Sequence, residues 1–183
     1  MSLVVSFAGQ IGSGKSSVSS ALALALSWPR AAFGDYLRKL AALQGLDPDS
    51  REILQNLGHS LVQADSRAFC KAVLFDGGFT PTANMLVDGV RHAGIQRDIA
   101  ALVAPSSCKL IYLSAGEGER LARVSGRPDG LRDFGRAEGH RVESELRHDL
   151  PNLADAIIDA ERELSEVLID CEIKIRGWLR NSV

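Results

Sequence analysis

Residues 9–16 read Gly-Gln-Ile-Gly-Ser-Gly-Lys-Ser, which matches the pattern G-x-x-x-x-G-K-S/T at every fixed position. The apolar residues 3–8 predict a buried strand before this stretch, and the Ala- and Leu-rich residues 16–26 predict a helix after it. Glycines let the backbone curl so that consecutive N–H groups point inward, and the start of the helix adds partial positive charge. Strand, loop and helix together predict a loop that binds the phosphates of a nucleotide.

Each position of this phosphate loop is a candidate for contact with the nucleotide. The Lys15 ammonium can reach the outer phosphates and is a candidate catalytic group, and the Ser16 hydroxyl can ligate Mg²⁺. A chance match to the pattern is the alternative, and the flanking strand and helix argue against it. The predicted nucleotide-binding residues are Gly9, Gln10, Ile11, Gly12, Ser13, Gly14, Lys15, Ser16 and Ser17.

Composition narrows the class of protein. A chain of 183 residues that is 45% hydrophobic and 24% charged is ordinary for a soluble protein, so we predict a single domain over residues 1–183. The net charge of −2 gives no electrostatic reason to expect a nucleic-acid partner. Because the chain has no long apolar run and no N-terminal signal pattern, we expect no membrane partner and a cytoplasmic location. A monomer is expected, with an oligomer left open.

Apolar segments alternate with helical patterns along the chain, which predicts an α/β fold with a parallel sheet. The predicted strands cover about residues 3–8, 31–33, 84–88, 109–113 and 156–159. Helices fill the intervals, and the last one covers about residues 161–180. Residues 126–149 differ because Gly, Arg, Asp, Glu and His dominate there, and this composition predicts a mobile, solvated excursion outside the core.

Asp88 ends a predicted apolar strand, the place where phosphate-loop enzymes carry an acidic residue that orients Mg²⁺ or its waters. The alternative is an Asp that caps the turn before the next helix. The phosphate loop at residues 9–16 favours the metal role, so Ser16 and Asp88 are the predicted Mg²⁺ residues. The three cysteines form no C-x-x-C pair, and we predict no structural metal.

Arginines crowd one region of the chain, namely Arg120, Arg123, Arg127, Arg132, Arg136, Arg141 and Arg147. Phosphoryl transfer needs cations near the transferred group because negative charge spreads over its oxygens. A basic, Gly-containing segment at about residues 126–149 therefore predicts a lid that closes over the site and excludes water. The alternative is a solvated helix face on which these arginines pair with nearby glutamates.

Three further motifs surround this framework. Residues 34–38 read Gly-Asp-Tyr-Leu-Arg and are similar to a G-D-x-x-R motif, and residues 88–91 read Asp-Gly-Val-Arg and resemble D-G-F-P-R. Residues 123–127 read Arg-Val-Ser-Gly-Arg and are similar to R-I-x-G-R. With the phosphate loop, these motifs make the chain resemble the nucleoside monophosphate kinases, adenylate kinase and its relatives, over essentially its whole length. The family's Pro is absent here, so Arg91 lies one residue closer to Asp88 than in the family pattern.

This resemblance implies a fold and an activity. The implied fold is that of the P-loop NTPases, a parallel sheet with strand order 2-3-1-4-5 flanked by helices. A helical acceptor-binding insertion is implied at about residues 35–80, with the lid at about residues 126–149. The implied activity is ATP- and Mg²⁺-dependent phosphorylation of a small phosphate-bearing acceptor, a nucleoside monophosphate in the first instance.

The same resemblance implies roles for individual residues. Arg38 and Arg91 would hold the acceptor phosphate, Asp35 would lie near the reacting groups, and Gln96 falls where a Gln reads the acceptor's base. Arg123 would pack on the donor's adenine and so joins the nucleotide-binding residues. The implied catalytic set, which includes lid arginines that stabilise the transferring charge, is Lys15, Asp35, Arg91, Arg127, Arg132 and Arg136.

Other functions remain open at this point. Residues 154–159 read Ala-Asp-Ala-Ile-Ile-Asp and resemble A-D-x-V-I-x-N in dephospho-coenzyme A kinase, whose phosphate loop is also very similar. A second class is a phosphate-loop ATPase or nucleotide-binding regulator without an acceptor. A kinase of nucleic-acid ends is a third hypothesis, which the absence of a basic composition disfavours.

Overall fold

The computed structural model describes residues 2–126, 130–138 and 141–181 of the chain. A five-stranded sheet has the order β2-β3-β1-β4-β5, and each neighbouring pair is parallel. The strands are β1 (Leu3–Ala8), β2 (Arg30–Ala32), β3 (Met85–Val90), β4 (Ser107–Ser114) and β5 (Ala156–Asp159). The predicted α/β class and the implied strand order are therefore confirmed.

Helices cover both faces of this sheet. They are α1 (Lys15–Leu26), α2 (Phe33–Leu43), α3 (Arg51–Asp76), α4 (Ala93–Val103), α5 (Glu117–Ser125), α6 (Gly130–Glu138), α7 (Arg141–Leu153) and α8 (Leu164–Asn181). Strand β2 lies one residue earlier than predicted because Phe33 already begins α2. Helix α3 is bent at Asp65, which has φ −165° and ψ 94° and accepts a hydrogen bond from the Ala68 N–H at 2.8 Å. Asp65 therefore caps a second helical segment within α3.

Strand β1 is buried along its whole length between two hydrophobic cores. Val4 and Ala8 pack on one face with α2, α3, α4 and α7, whereas Val5 and Phe7 pack on the other face with α1 and α8. Burial on both faces is typical of a parallel sheet with helices on either side. The carboxyl ends of all the strands share one edge, and the phosphate loop and the start of α2 lie at that edge.

Part of the segment 126–149 belongs to the core, which corrects the prediction of a solvated excursion. Phe134 of α6 is buried against Ile11 and Val124, and Leu146 of α7 is buried in the core that includes Val4. Leu150 lies one helical turn after Leu146 and is buried with it. Few apolar residues are needed, because Leu146 and Leu150 lie on the same face of α7.

No helix among residues 2–126, 130–138 and 141–181 is long and apolar enough to cross a membrane. The thiols of Cys70, Cys108 and Cys171 are free. Burial raises the pKa of Cys70 and Cys171 to about 12 and that of Cys108 to about 11. These thiols therefore stay protonated at neutral pH and act as small packing groups rather than nucleophiles.

Candidate functional site

The phosphate loop depends on glycine at two positions with left-handed backbone. Gly12 has φ +82° and Gly14 has φ +85°. A Cβ on Gly12 would lie only 2.5 Å from the Arg120 carbonyl oxygen, so the loop passes directly against the backbone of α5. Gly14 is the N-cap residue of α1, and no side chain caps that helix. The loop therefore brings its backbone to an open helix N-terminus, as the sequence predicts.

Polar groups of the loop are arranged around Gln10. The Gln10 carbonyl accepts hydrogen bonds from the Ser13 N–H at 3.1 Å and from the Lys15 ammonium at 3.2 Å. The Ser13 hydroxyl is buried and has no hydrogen-bond partner among the described residues. Ser16 and Ser17 are exposed in the first turn of α1. Lys15 thus folds back over the loop, where it can exchange the carbonyl for a phosphate oxygen.

A group of polar and charged side chains from β2, the start of α2, β3 and α1 meets beside the phosphate loop, and we call it the Arg30 cluster. It consists of Arg30, Asp35, Arg38, Asp88 and Ser19. Arg30 Nη2 donates to Asp88 Oδ2 at 2.6 Å, and its Nη1 donates to Asp35 Oδ2 at 3.0 Å. The other oxygen of Asp35 accepts a hydrogen bond from Arg38 Nη1 at 3.1 Å. The structure therefore brings three predicted site residues together through one arginine.

Arg30 is a candidate site residue that the sequence did not point to. Its Nε donates to the Ser19 hydroxyl of α1 at 3.0 Å, so it also reaches the helix that follows the phosphate loop. Arg30 of β2 lies opposite Leu86 of β3 in the parallel register. Leu86 comes two residues before Asp88. A cation at the start of an otherwise apolar strand, with an Asp inside another apolar strand, is the signal that could have pointed to it.

Asp88 is suited to a metal or to the waters around one. Its side chain is 5% exposed, and only Oδ2 is held by Arg30. Asp88 Oδ1 is buried without a hydrogen-bond partner among the described residues, and such an orphaned oxygen fits a cation or an ordered water. Carboxylate and hydroxyl oxygens are ligands that Mg²⁺ prefers, so Asp88 and Ser16 fit this ion. The alternative of a helix cap does not describe Asp88, because His92 is the N-cap residue of α4.

Two arginines of α5 approach the phosphate loop. Arg123 Nη1 lies 3.7 Å from the position that a Cβ on Gly14 would take, and Arg123 Nη2 donates to the Ala160 carbonyl at 2.7 Å. Arg120 is only 3% exposed and donates through Nη1 to the Ile11 carbonyl at 3.3 Å. Its guanidinium also lies 5.1 Å from the ring centre of Phe134. Arg120 therefore connects the loop to α6, a role that the crowding of arginines in the sequence did not reveal.

Two residues with implied acceptor roles lie after β3. Arg91 is half-buried in the turn between β3 and α4, close in sequence to Asp88. Gln96 is 9% exposed, and its amide donates to the Cys108 Sγ at 3.5 Å. No described hydrogen bond joins Gln96 to the Arg30 cluster. Its assignment as a reader of the acceptor's base stays a prediction, as does the acceptor role of Arg91.

The lid arginines are described only in part. Arg127 lies outside the described residues, and so does the side chain of Arg136 in α6. Arg132 is exposed on α6. Among residues 2–126, 130–138 and 141–181, no group of three or more His, Cys, Asp or Glu side chains could hold a metal ion. The assignment of charge stabilisation to Arg127, Arg132 and Arg136 stays a prediction.

Solved structures share this fold. The crystal structure of shikimate kinase from Aquifex aeolicus has a TM-score of 0.59 and 16% sequence identity, and the match covers 95% of this chain and 96% of that one. A gluconokinase from Sinorhizobium meliloti has a TM-score of 0.55 and 18% identity, with 98% of this chain and 94% of that one covered. No protein-family model and no curated protein sequence matches this chain.

These matches concern the fold. Both neighbours are kinases by name, and neither name is that of a nucleoside monophosphate kinase or a dephospho-coenzyme A kinase. At 16% and 18% identity, what is shared is the chain's path over nearly the full length of each neighbour. The chain therefore has the five-stranded parallel fold of these two kinases, with a phosphate loop at the carboxyl edge of its sheet.

Proposed function

We propose that this protein is a kinase that uses Mg·ATP to phosphorylate a small phosphate-bearing acceptor, and that the acceptor is a nucleoside monophosphate. The observation that carries the proposal is the position of the Arg30 cluster. It extends from β2 into the start of α2 and includes Asp88 of β3, which lies beside the strand that leads into the phosphate loop, and Arg30 donates a hydrogen bond to Ser19 of α1. Donor phosphates and a second anionic ligand can therefore meet at one edge of the sheet.

The phosphate loop would hold the donor. Backbone N–H groups of residues 9–16 and the Lys15 ammonium would surround the β- and γ-phosphates. The negative charge on the β-phosphate of the departing ADP is then offset before transfer begins. Ser16 and Asp88 would hold Mg²⁺, which would offset the negative charge that develops on the donor phosphates. Arg123 supports the donor side because it lies against the start of α1.

The Arg30 cluster supports a phosphate as the acceptor group. Both carboxylate oxygens of Asp35 are occupied, Oδ1 by Arg38 and Oδ2 by Arg30. Arg38 is half-exposed and gives one nitrogen to Asp35, so its other N–H groups can face an anionic acceptor group. A phosphate oxygen is anionic at neutral pH and needs no base. Arg38 and Arg91 would align that oxygen with the γ-phosphorus.

The remaining assignments complete this proposal. The insertion at about residues 35–80 would bind the acceptor, and the segment at about residues 126–149 would close over the reaction. Arg127, Arg132 and Arg136 would then stabilise the transferring group. We expect a cytoplasmic monomer that acts on small molecules, without nucleic-acid or membrane partners.

A second candidate is a kinase of a non-nucleotide acceptor. The fold of the shikimate kinase and gluconokinase neighbours favours this class. Dephospho-coenzyme A is a further acceptor outside the nucleoside monophosphates, suggested by residues 154–159. Asp155 of the segment 154–159 bonds Lys109 and the Leu110 N–H, which ties β4 to β5. Asp155 therefore has a structural role in joining the two strands, and this role does not depend on coenzyme A binding.

Acceptor-dependent release of ADP from Mg·ATP tests the proposal. The panel contains ribo- and deoxynucleoside monophosphates, dephospho-coenzyme A, shikimate, gluconate and no acceptor, with Lys15→Ala as the blank. We expect ADP release that depends on one nucleoside monophosphate and is lost in Lys15→Ala. A matched control is Arg176→Ala, which removes a surface arginine paired with Glu172 on α8, outside the proposed site. Equal release with and without every acceptor would contradict the proposal and indicate an ATPase.

A further inference from the structure

One guanidinium joins three elements of the site. Arg30 of β2 donates through its three nitrogens to Ser19 of α1, Asp35 of α2 and Asp88 of β3. The planar fork of an arginine can satisfy acceptors in three directions at once, whereas a lysine presents a single nitrogen. The contact is therefore specific to arginine in its geometry as well as in its charge.

Burial differs between the two carboxylates that Arg30 holds. The Asp88 side chain is 5% exposed and that of Asp35 is 53% exposed, with Arg30 itself at 18%. A buried carboxylate needs a fixed partner because its charge is poorly solvated. Arg30 supplies that partner to Asp88 Oδ2 and leaves the buried Oδ1 unpartnered among the described residues. The direction of Asp88 Oδ1 is therefore set by Arg30.

We propose that Arg30 is a positioning residue that fixes Asp88 for Mg²⁺ and Asp35 for Arg38, and so ties the metal side of the site to the acceptor side. This inference rests on the proposed function. Through Asp88, Arg30 presents a single oxygen to the ion or its waters and places a positive charge near it. Through Asp35, it positions the carboxylate that orients Arg38.

Charge and geometry make separate predictions for Arg30. Arg30→Met keeps the length of the side chain and removes its charge and its hydrogen bond to Asp88, so Mg²⁺ should bind the nucleotide complex about tenfold more weakly, as when the partner that orients a metal ligand is lost. Arg30→Lys keeps the charge and removes the fork, so the Mg²⁺ requirement should stay within about twofold of wild type. In both variants kcat should fall by about tenfold or more, because neither holds both carboxylates.

The experiment measures Mg²⁺-dependent binding of a fluorescent ADP analogue, with kcat and KM for the acceptor alongside. Ser19→Ala removes the anchor on Nε and the hydrogen bond from the Ser19 hydroxyl to the Ser16 carbonyl, and we expect a few-fold loss of kcat with an unchanged Mg²⁺ requirement. Arg176→Met serves as the matched control, since it breaks a surface ion pair with Glu172 on α8, outside the proposed donor and acceptor sites, and should change none of these values. Denaturant unfolding shows whether each variant is folded. If Arg30→Met does not fold, Ser19→Ala and Arg30→Lys still test the inference through their kcat.

Two results would overturn the inference. Full wild-type kcat in Arg30→Lys would show that the fork is not needed, and an unchanged Mg²⁺ requirement in folded Arg30→Met would show that Arg30 does not act on the metal side. Failure of the proposed function looks different. In that case wild type transfers to no acceptor in the panel, whereas the Mg²⁺-dependent binding measurements still separate Arg30→Met from Arg30→Lys.

Discussion

Replacement of Gly12 by alanine tests whether close packing against α5 shapes the phosphate loop. Gly12→Ala places a Cβ 2.5 Å from the Arg120 carbonyl oxygen and 2.9 Å from the Arg120 Cα, both backbone atoms that cannot rotate away. The φ of +82° adds a second cost, because a side chain in left-handed backbone meets its own carbonyl. The substitution therefore combines strain with a clash.

Two other glycines separate these effects. Gly78 has φ +81° and nothing within 4 Å of its added Cβ, so Gly78→Ala measures strain alone, outside the site. Gly14 has φ +85°, and the atom near its added Cβ is Nη1 of the flexible Arg123 side chain, at 3.7 Å. Gly14→Ala therefore measures strain within the loop. Left-handed strain costs about 1–2 kcal/mol. Relief of the clash at Gly12 should add about 1–3 kcal/mol, the usual cost of overpacking.

The assay is denaturant unfolding of the three variants and wild type, with binding of a fluorescent ADP analogue. Gly12→Ala should lower the free energy of unfolding by about 1–3 kcal/mol more than Gly78→Ala, or shift Tm further by roughly 2–12 °C. Nucleotide affinity should fall more than tenfold, because the loop or α5 must move to relieve the clash. Equal unfolding free energies and affinities for Gly12→Ala and Gly14→Ala would refute the reasoning.

Three further predictions concern other parts of the structure. Arg120→Met should weaken nucleotide binding about tenfold because a charged hydrogen bond to the loop is lost, as measured by analogue fluorescence. Asp65→Ala should lower the free energy of unfolding by about 1 kcal/mol in denaturant, because it removes the cap inside α3. Stability should fall above pH 9, since Cys70 and Cys171 keep a pKa of about 12 in the fold against an ordinary 9.0. Their contribution is fully present below pH 9, and it is lost on the way to pH 12 at up to about 1.4 kcal/mol per pH unit for each thiol.

Each of these predictions has a control and a contradicting outcome. Arg176→Met changes an arginine paired with Glu172 on the surface of α8 and should leave nucleotide affinity unchanged. Wild-type affinity in Arg120→Met, or wild-type stability in Asp65→Ala, would contradict the contact concerned. For the loss of stability at alkaline pH, the free energy of unfolding of Cys171→Ala should decline less steeply than that of wild type between pH 9 and 11. An identical decline would mean that burial of this thiol does not contribute.

The sequence alone determined the phosphate loop, because that loop is a local structure. Its glycines, lysine and serine follow one another within eight positions, and the flanking strand and helix follow from apolar runs and helical spacing. The α/β class follows from the alternation of such segments. The strand order came from resemblance to a family rather than from periodicity, and the structure confirms it.

Only the tertiary structure decided how side chains meet across the sheet edge. Arg30 and Asp88 are 58 positions apart, and Arg120 and Ile11 are 109 apart, so no local pattern could pair them. The burial of Phe134 and Leu146 was missed for the same reason, because a few apolar residues in a charged segment form a face only once the helix packs. Local propensities determine helices, strands and loops, whereas the partner of a long charged side chain depends on which strands lie side by side.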